Sequence, residues 1–445
     1  MHFAVAGGGI AGLAAAWELC RLAPDAEITV FEPGHRGGKL RTSAFAGRQV
    51  DEGADTFLAR VPEGYDLCAE LGLAPSLVSP AMSTAYVAVG STLHRLPDGL
   101  VLGVPTEPSS LEGSPLVGAD AAQRVAAEPS MPGEALRTGD DPSVGSLIRR
   151  RFGDDVLERL VDPLIGGINA GDSDRLSLRA AAPQLAAAAE RSASLVEGLR
   201  SAPVTFPQGT PVFWALPGGM QSLVDTFMAR LTGAGVRFMS HAVDDVKGLG
   251  ADGVVLATPA AATAALLAGA GASEAAAILG GIAHSSPVLV SLAFATGDIR
   301  HPLDASGVLV PRLEQRVLTA CSFATSKWAH LGATDPSSVV LRASAGRFGD
   351  DRAIGMDDDA LLATLLDDLD ALLGLDGDPI EVRISRWRDG FPQYEPGHLD
   401  RVAAIEADVA ARLPGVALAG AAYHGIGIPA CIRQGRAAAN LLAGA

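Results

Sequence analysis

Lysine is scarce: the chain holds three, Lys39, Lys247 and Lys327, against 31 arginines. Acids outnumber bases, and the net charge of −17 leaves no basic surface of the kind that nucleic acids or anionic lipids require. No nucleic-acid partner is expected. Cysteine is sparse too, at Cys20, Cys68, Cys321 and Cys431, with no C-x-x-C pair. That excludes a redox dithiol and a cysteine-bound metal, and each thiol is expected to be small and buried. No apolar run is long enough to span a bilayer, and the residues after Met1 read directly as a strand. Neither a transmembrane segment nor a signal peptide is expected, which places the chain in the cytoplasm, at most peripheral to a membrane. No His-Glu-x-x-His, no Ser/His/Asp order and no paired-carboxylate spacing stands out, and no metal site is expected. The catalytic residues are left unassigned, because a bound cofactor carries the difficult step when no side-chain nucleophile offers itself.

What is present begins at once. The apolar run Phe3-Ala4-Val5-Ala6 ends in Gly7-Gly8-Gly9-Ile10-Ala11-Gly12, a G-x-G-x-x-G turn, and an alanine-rich helical stretch follows to Leu22. The first glycine permits the turn, the second lets backbone approach a pyrophosphate, and the third lets helix pack on strand. The helix N-terminus faces the phosphates with roughly half a positive charge. Glu32 closes a second apolar run, Ile28–Phe31, at the distance expected of an acid that takes ribose hydroxyls. Gly248-x-Gly250-x-x-Gly253 fits the same letters but precedes its strand, and reads as a hairpin turn. One nucleotide site and no nicotinamide domain are implied, so oxygen is the simplest electron acceptor.

At 445 residues two or three domains are expected. His35–Thr42 is a basic double-glycine turn, and Val50–Phe57 a glycine turn leading to a helix at Pro62–Gly72. Residues 85–105 read as a strand pair turning at Leu96–Gly99, and the Pro-, Gly- and Ser-rich 106–141 as a loop. Helical patterning runs from Ser143, its cap supplied by Asp141-Pro142-Ser143, to Arg200. A helix is expected over Gln221–Leu231, and strands over Val236–Val246 and Gly253–Ala257. Strand candidates without intervening helices (Pro287–Ala295, Gly307–Pro311, Val317–Ala324, Val339–Ala343) suggest an antiparallel sheet. A leucine stripe predicts a helix over Asp357–Leu373, and Val402, Ile405, Val409 and Leu413 predict one over His398–Arg412. Val416–Gly420 reads as a buried strand, followed by the turn Tyr423–Pro429 and a last helix to Leu442. A sheet begun near residue 3 and completed near 418 is discontinuous. The fold class is α/β: a Rossmann-like cofactor domain (1–60, 205–285, 413–445), an inserted substrate domain of antiparallel sheet and helices (61–100, 286–412), and a helical subdomain (101–204).

The double-glycine turn and the glycine turn after it resemble the later cofactor contacts of the flavin amine-oxidase superfamily. Over nearly the whole chain, the sequence resembles the FAD-dependent porphyrinogen oxidases of haem biosynthesis. Asp55–Arg60, Ser143–Gly153, Val161–Gly171, Ser326-Lys327-Trp328, Arg386-Trp387, Pro392–His398 and Gly420–Ile432 carry that resemblance. It implies non-covalent FAD, met by Gly7, Gly8, Gly9, Ile10, Ala11, Gly12, Glu32, Pro33, Lys39, Gly53, Ala54, Asp55 and Thr56. Val243 is implied by the adenine, Trp387 near the flavin, and Gly420, Ile426, Gly427 and Ile428 at its pyrimidine edge. The chain departs from the family pattern at Val61, Ala421-Ala422 and Ala430.

The implied reaction removes six electrons and six protons from a porphyrinogen, by hydride transfer to flavin and re-oxidation by O2 to H2O2. The arginine-rich composition resembles that of high-GC Gram-positive members, whose pathway oxidises coproporphyrinogen. Coproporphyrinogen III, a tetracarboxylate, is therefore the expected substrate, protoporphyrinogen IX the alternative, and handover of product to a ferrochelatase the implied next step. In an acidic chain the carboxylates need locally placed arginines, and Arg60, Arg95 and Arg386 are the candidates. Remoter alternatives are an amine oxidase, and a GDP-dissociation-inhibitor-like binding protein without catalysis. Oligomeric state is not legible.

Overall fold

The computed structural model describes residues 1–107, 109–203 and 209–444, so the boundary expected between 204 and 205 lies outside the described residues. His2–Ala6 carries four successive small or apolar residues that are buried on both faces, as the middle strand of a parallel sheet requires. In that sheet the order is 237–239, 27–31, 2–6, 253–256, 416–418, with every neighbour parallel. Val5 lies between Val30 and Val255, and Val255 in turn beside Ala417. One face is covered by the first helix, Ile10–Leu22, crossed by the last, Ile428–Ala443. Small residues let the two approach closely: a Cβ on Gly435 would lie 2.1 Å from the Ala11 carbonyl oxygen. The other face is packed by helices Ala260–Ala270, Ser273–Gly280 and His398–Arg412, with Leu267, Leu279, Val402 and Ile405 fully enclosed.

Two expectations here are corrected. The strand over 236–246 shrinks to Arg237–Met239, and the turn before Gly253 is no hairpin. The strands on either side of it are separated by two others, so 240–252 is a crossover containing one short 3-10 turn, Lys247–Leu249.

The second sheet runs in the order 381–386, 288–295, 338–345, 318–323, 307–309, 86–89, 92–95. It is mixed, because 307–309 pairs parallel with Tyr86–Val89. The strand pair expected over 85–105 turns at Gly90-Ser91 rather than Leu96–Gly99, and Leu100–Val101 with Val104–Pro105 forms a separate small hairpin. Helix Asp358–Leu373 sets Leu361, Leu365 and Leu369 against this sheet, all fully buried.

The expectation of a loop over 106–141 is also overturned. Ala119–Ala127 is a helix, and the turn after it buries Glu128 completely. Glu128 pairs with Arg151 at 2.7 Å and accepts from the Ser194 hydroxyl and the Leu195 N–H, tying the segment to the helices of 144–200. Composition misled because the order comes from partners distant in sequence: this buried ion pair, and Leu111, Leu116 and Val125 buried in the core of the helical region. Of the expected cap, Ser143 takes the Ser146 N–H. Asp141 instead accepts from Ser177, Arg179 and Gly397.

Candidate functional site

The glycine turn divides its labour in a way that shows where a ligand fits. A Cβ on Gly7 (φ +104) would lie 2.5 Å from the Ala257 carbonyl oxygen, and one on Gly12 only 1.9 Å from that of Gly7. The fold itself demands those two. At Gly9, which caps the first helix, nothing lies within 4 Å of the Cβ position. The helix start has no side-chain cap and no acid in its first turn, so its outward N–H groups can receive an anion. Ile10 and Ala11 form that first turn. Glu32 spans the site, with Oε2 accepting from Gly8 N–H and Oε1 from Gly34 N–H, both at 2.8 Å. Each oxygen keeps accepting capacity for a hydroxyl. Pro33 beside it is exposed, and Val243 packs in the cluster that holds Phe31.

A second pole forms around Lys39. Its ammonium donates to the Gly390 carbonyl and lies 5.6 Å from the Phe391 ring centre. Solvent reaches the side chain, yet the protein packed around it lowers its pKa, against a smaller opposing effect of the neighbouring Cys431 thiol. A Cβ on Gly53 would strike the Lys39 carbonyl oxygen at 2.3 Å and the Trp387 ring at 3.1 Å. Trp387 is fixed by its indole N–H on the Glu52 carbonyl, 2.9 Å. Cys431, its own thiol pushed up to about 11 by burial, lies against the Gly425 and Ile426 carbonyls. Gly427 is the exposed cap of the last helix, with Pro429 in the first turn where its missing N–H costs nothing. Gly435, which touches Ala11, lies eight residues beyond Gly427, so the Gly427 end is about 12 Å from the crossing. Gly420, at φ +130, opens the turn that leads there.

The structure thus gathers Lys39, Gly53, Trp387 and the turn from Gly425 to Ile428 at one pole, and Gly7–Gly12 with Glu32 at the other. Asp55 serves differently. Its carboxylate pairs with Arg342 at 2.7 Å and lies 3.8 Å from Lys327. Burial alone would raise its pKa, but those two cations, its own backbone N–H and Trp328 hold it below the usual range. Arg342 also donates to the Gly53 carbonyl, 2.7 Å, so the ion pair braces the turn that carries Ala54 and Thr56. Sequence reasoning missed Arg342, which sits mid-strand without a motif. Lys327 had a signal, as one of three lysines.

The three candidate arginines do not converge. Arg95 pairs with Asp304 over the Tyr86 ring, and Arg386 with Asp358. Arg60 is exposed and, among the described residues, reaches only the Thr210 carbonyl at 3.5 Å. Two of the three already have acidic partners.

Behind the second pole, Tyr394 stacks on His398 at 4.0 Å and presents its hydroxyl oxygen to Gly425 N–H, 3.1 Å. His398 Nε2 faces the Tyr423 carbonyl at 2.8 Å, while Nδ1 is buried without a partner. Burial lowers its pKa to about 4. A histidine held neutral in the fold but free to charge when unfolded stabilises fully above its unfolded pKa, and that contribution is lost as pH falls towards 4. Relative to wild type, His398→Phe should therefore gain stability between pH 6.5 and 4, on the order of 3 kcal/mol. Denaturant midpoints of the two proteins across that range test it. A constant difference would show that His398 does not titrate there.

The family model of flavin containing amine oxidoreductases matches residues 10–443. The chain belongs to that family. A flavin is accordingly its cofactor, and it is a flavin-dependent oxidoreductase. The chain is 39% identical to the coproporphyrinogen III oxidase of Mycobacterium bovis and 34% to that of Bacillus subtilis, covering 99% of this chain and 97% of either relative. A crystal structure of a candidate protoporphyrinogen oxidase from Exiguobacterium sp. 255-15 superposes with a TM-score of 0.87 at 32% identity, over 99% of this chain and 98% of that one. Among the described residues no helix is long and apolar enough to cross a membrane, and no cluster of acidic, histidine or cysteine side chains is arranged for a metal ion.

Proposed function

We propose that this flavoprotein oxidises coproporphyrinogen III to coproporphyrin III, with three O2 accepting six electrons and six protons to give three H2O2. The observation that carries this is end-to-end likeness at 34–39% identity to coproporphyrinogen III oxidases, joined to an uncapped helix start at Gly9 with Glu32 beside it. The flavin is FAD, bound without a covalent link, and it supplies the two-electron acceptor. Glu32 accepts from ribose hydroxyls, with Pro33 and Val243 at the adenine side. The first-helix N–H groups near Gly9 and Ile10 receive the pyrophosphate. Lys39, Gly53–Thr56 and Trp387 wall the far pole. The N-terminus of the last helix, at Gly427 and Ile428, favours negative charge placed beside it. Gly420 and Ile426 complete that turn.

The cofactor unit comprises 1–60, 205–285 and 413–445, the substrate unit 61–100 and 286–412, and the helical unit 101–204. The enzyme works in the cytoplasm, and its product passes to metal insertion. Following porphyrin fluorescence in air with each porphyrinogen separately tests the assignment. Faster oxidation of coproporphyrinogen III is expected, and a preference for protoporphyrinogen IX would overturn the substrate. Acid precipitation should leave FAD in the supernatant, whereas flavin retained in the pellet would refute non-covalent binding.

A further inference from the structure

Among the described residues three arginines are buried: Arg48, Arg151 and Arg347. Arg48 donates to the carbonyls of Leu331, Ser338 and others, and Arg151 is paired with Glu128. Arg347 differs. It is only 8% exposed, its Nε is sealed from water without a partner, and its side chain makes no hydrogen bond or ion pair among the described residues. The nearby carboxylates offset its charge from a distance without bonding it: Asp350 pairs with Arg352 at 2.8 Å, and Asp162 accepts from the Ser173 N–H at 3.1 Å. Arg312 lies close enough to repel it, and among the described residues it bonds carbonyls, that of Phe348 included, but no acid. Its Nη2 donates to the Gly171 carbonyl at 2.9 Å, and its Nε is another orphan. An unpaired buried guanidinium is costly, and a second beside it adds repulsion. Such a pair persists when something outside the chain completes it, and planar guanidinium groups match a carboxylate best.

Its position is equally telling. Arg347 sits in the turn after strand Ser338–Ala345, between Gly346 and Gly349, both at φ +80. Phe348 N–H bonds the Ala170 carbonyl, and a Cβ on Gly171 would meet the Gln393 side-chain oxygen at 2.8 Å. That oxygen is also buried without a donor, while the Gln393 amide nitrogen donates to the Phe391 carbonyl. Phe391 in turn lies under the Lys39 ammonium. An unbroken line of contacts joins the arginine pair to the flavin pole.

We propose that Arg347, assisted by Arg312, holds a propionate carboxylate of the substrate and positions the macrocycle against that pole. This rests on the porphyrinogen reading above. The test is fluorescence titration of the holoenzyme with coproporphyrin III and with its uncharged tetramethyl ester, alongside kinetics with coproporphyrinogen III. Arg347→Met should weaken binding of the acid and raise KM by about tenfold to a hundredfold, with affinity for the ester changed by no more than about twofold. Arg347→Lys should recover part of the loss, and Arg300→Met, at an exposed ion pair with Asp376, should change neither the affinities nor KM. If Arg347→Met does not fold, Arg312→Gln is read in the same way. Equal losses for acid and ester, or none for the acid, would overturn the assignment. A wild-type enzyme that oxidises neither porphyrinogen would instead overturn the reading on which it rests.

Discussion

Gly12→Val should give protein without flavin, because the substituted side chain has nowhere to go. Its Cβ would lie 1.9 Å from the Gly7 carbonyl oxygen and 3.1 Å from the carbonyl carbon, so the obstacle is backbone. Relief requires lifting the first helix from strand His2–Ala6. That would also disturb the last helix, whose Gly435 rests on Ala11. Ordinary overpacking costs about 1–3 kcal/mol by side-chain shifts, and a backbone collision of this depth exceeds it, at about 4 kcal/mol or more. The companion substitution separates folding from cofactor binding. At Gly9 the φ is −73 and the Cβ position is open, so Gly9→Ala should fold normally. If the pyrophosphate occupies that space, Gly9→Ala will still lose FAD affinity, by roughly tenfold or more. Thermal denaturation of apoprotein and flavin titration read the two arms. Gly9→Ala binding FAD as wild type would place the phosphates elsewhere.

The second large effect is expected far from that groove. Glu128→Ala should destabilise the protein by about 3–5 kcal/mol, because it strands Arg151 as a buried unpaired charge. It also removes the acceptor of the Ser194 hydroxyl and the Leu195 N–H. The loss should be local first: protease cutting within 106–141 should quicken before the rest unfolds, since that segment is anchored through Glu128. Glu128→Leu combined with Arg151→Met should recover most of the stability, as apolar replacement removes both desolvation costs. Denaturant unfolding with limited proteolysis decides it. A single variant as stable as wild type would mean that the pair contributes nothing.

These two cases mark what could be read from sequence alone. The Gly7–Gly12 turn was legible because its chemistry is local: three glycines, a strand before, a helix after, and Glu32 at a set distance. The apolar stripes of 358–373 and 398–412 were legible for the same reason, since 3.6-residue periodicity is written into them. Glu128 was not, for its partner and the helix start it caps lie 23 and more residues away. Nor was the parallel pairing of 307–309 with 86–89, which depends on how distant strands meet. Among arginines, sequence offered Arg60, Arg95 and Arg386 by neighbourhood, but whether a guanidinium is free depends on which acids the fold brings to it. Asp304 and Asp358 take up two of those, while Arg347 makes no ion pair among the described residues.

The crossing of the first and last helices bears on how the enzyme comes into being. Helices Ile10–Leu22 and Ile428–Ala443 are roughly 400 residues apart in the chain, yet Gly435 must seat on Ala11 before the groove has two walls. While the chain is still being made, the inserted sheet and helices have their partners and fold in turn. The cofactor site does not, until Ile428–Ala443 has docked. Flavin loading is expected to follow that docking, and chains stopped short of Gly427 should emerge colourless however well their middle has folded.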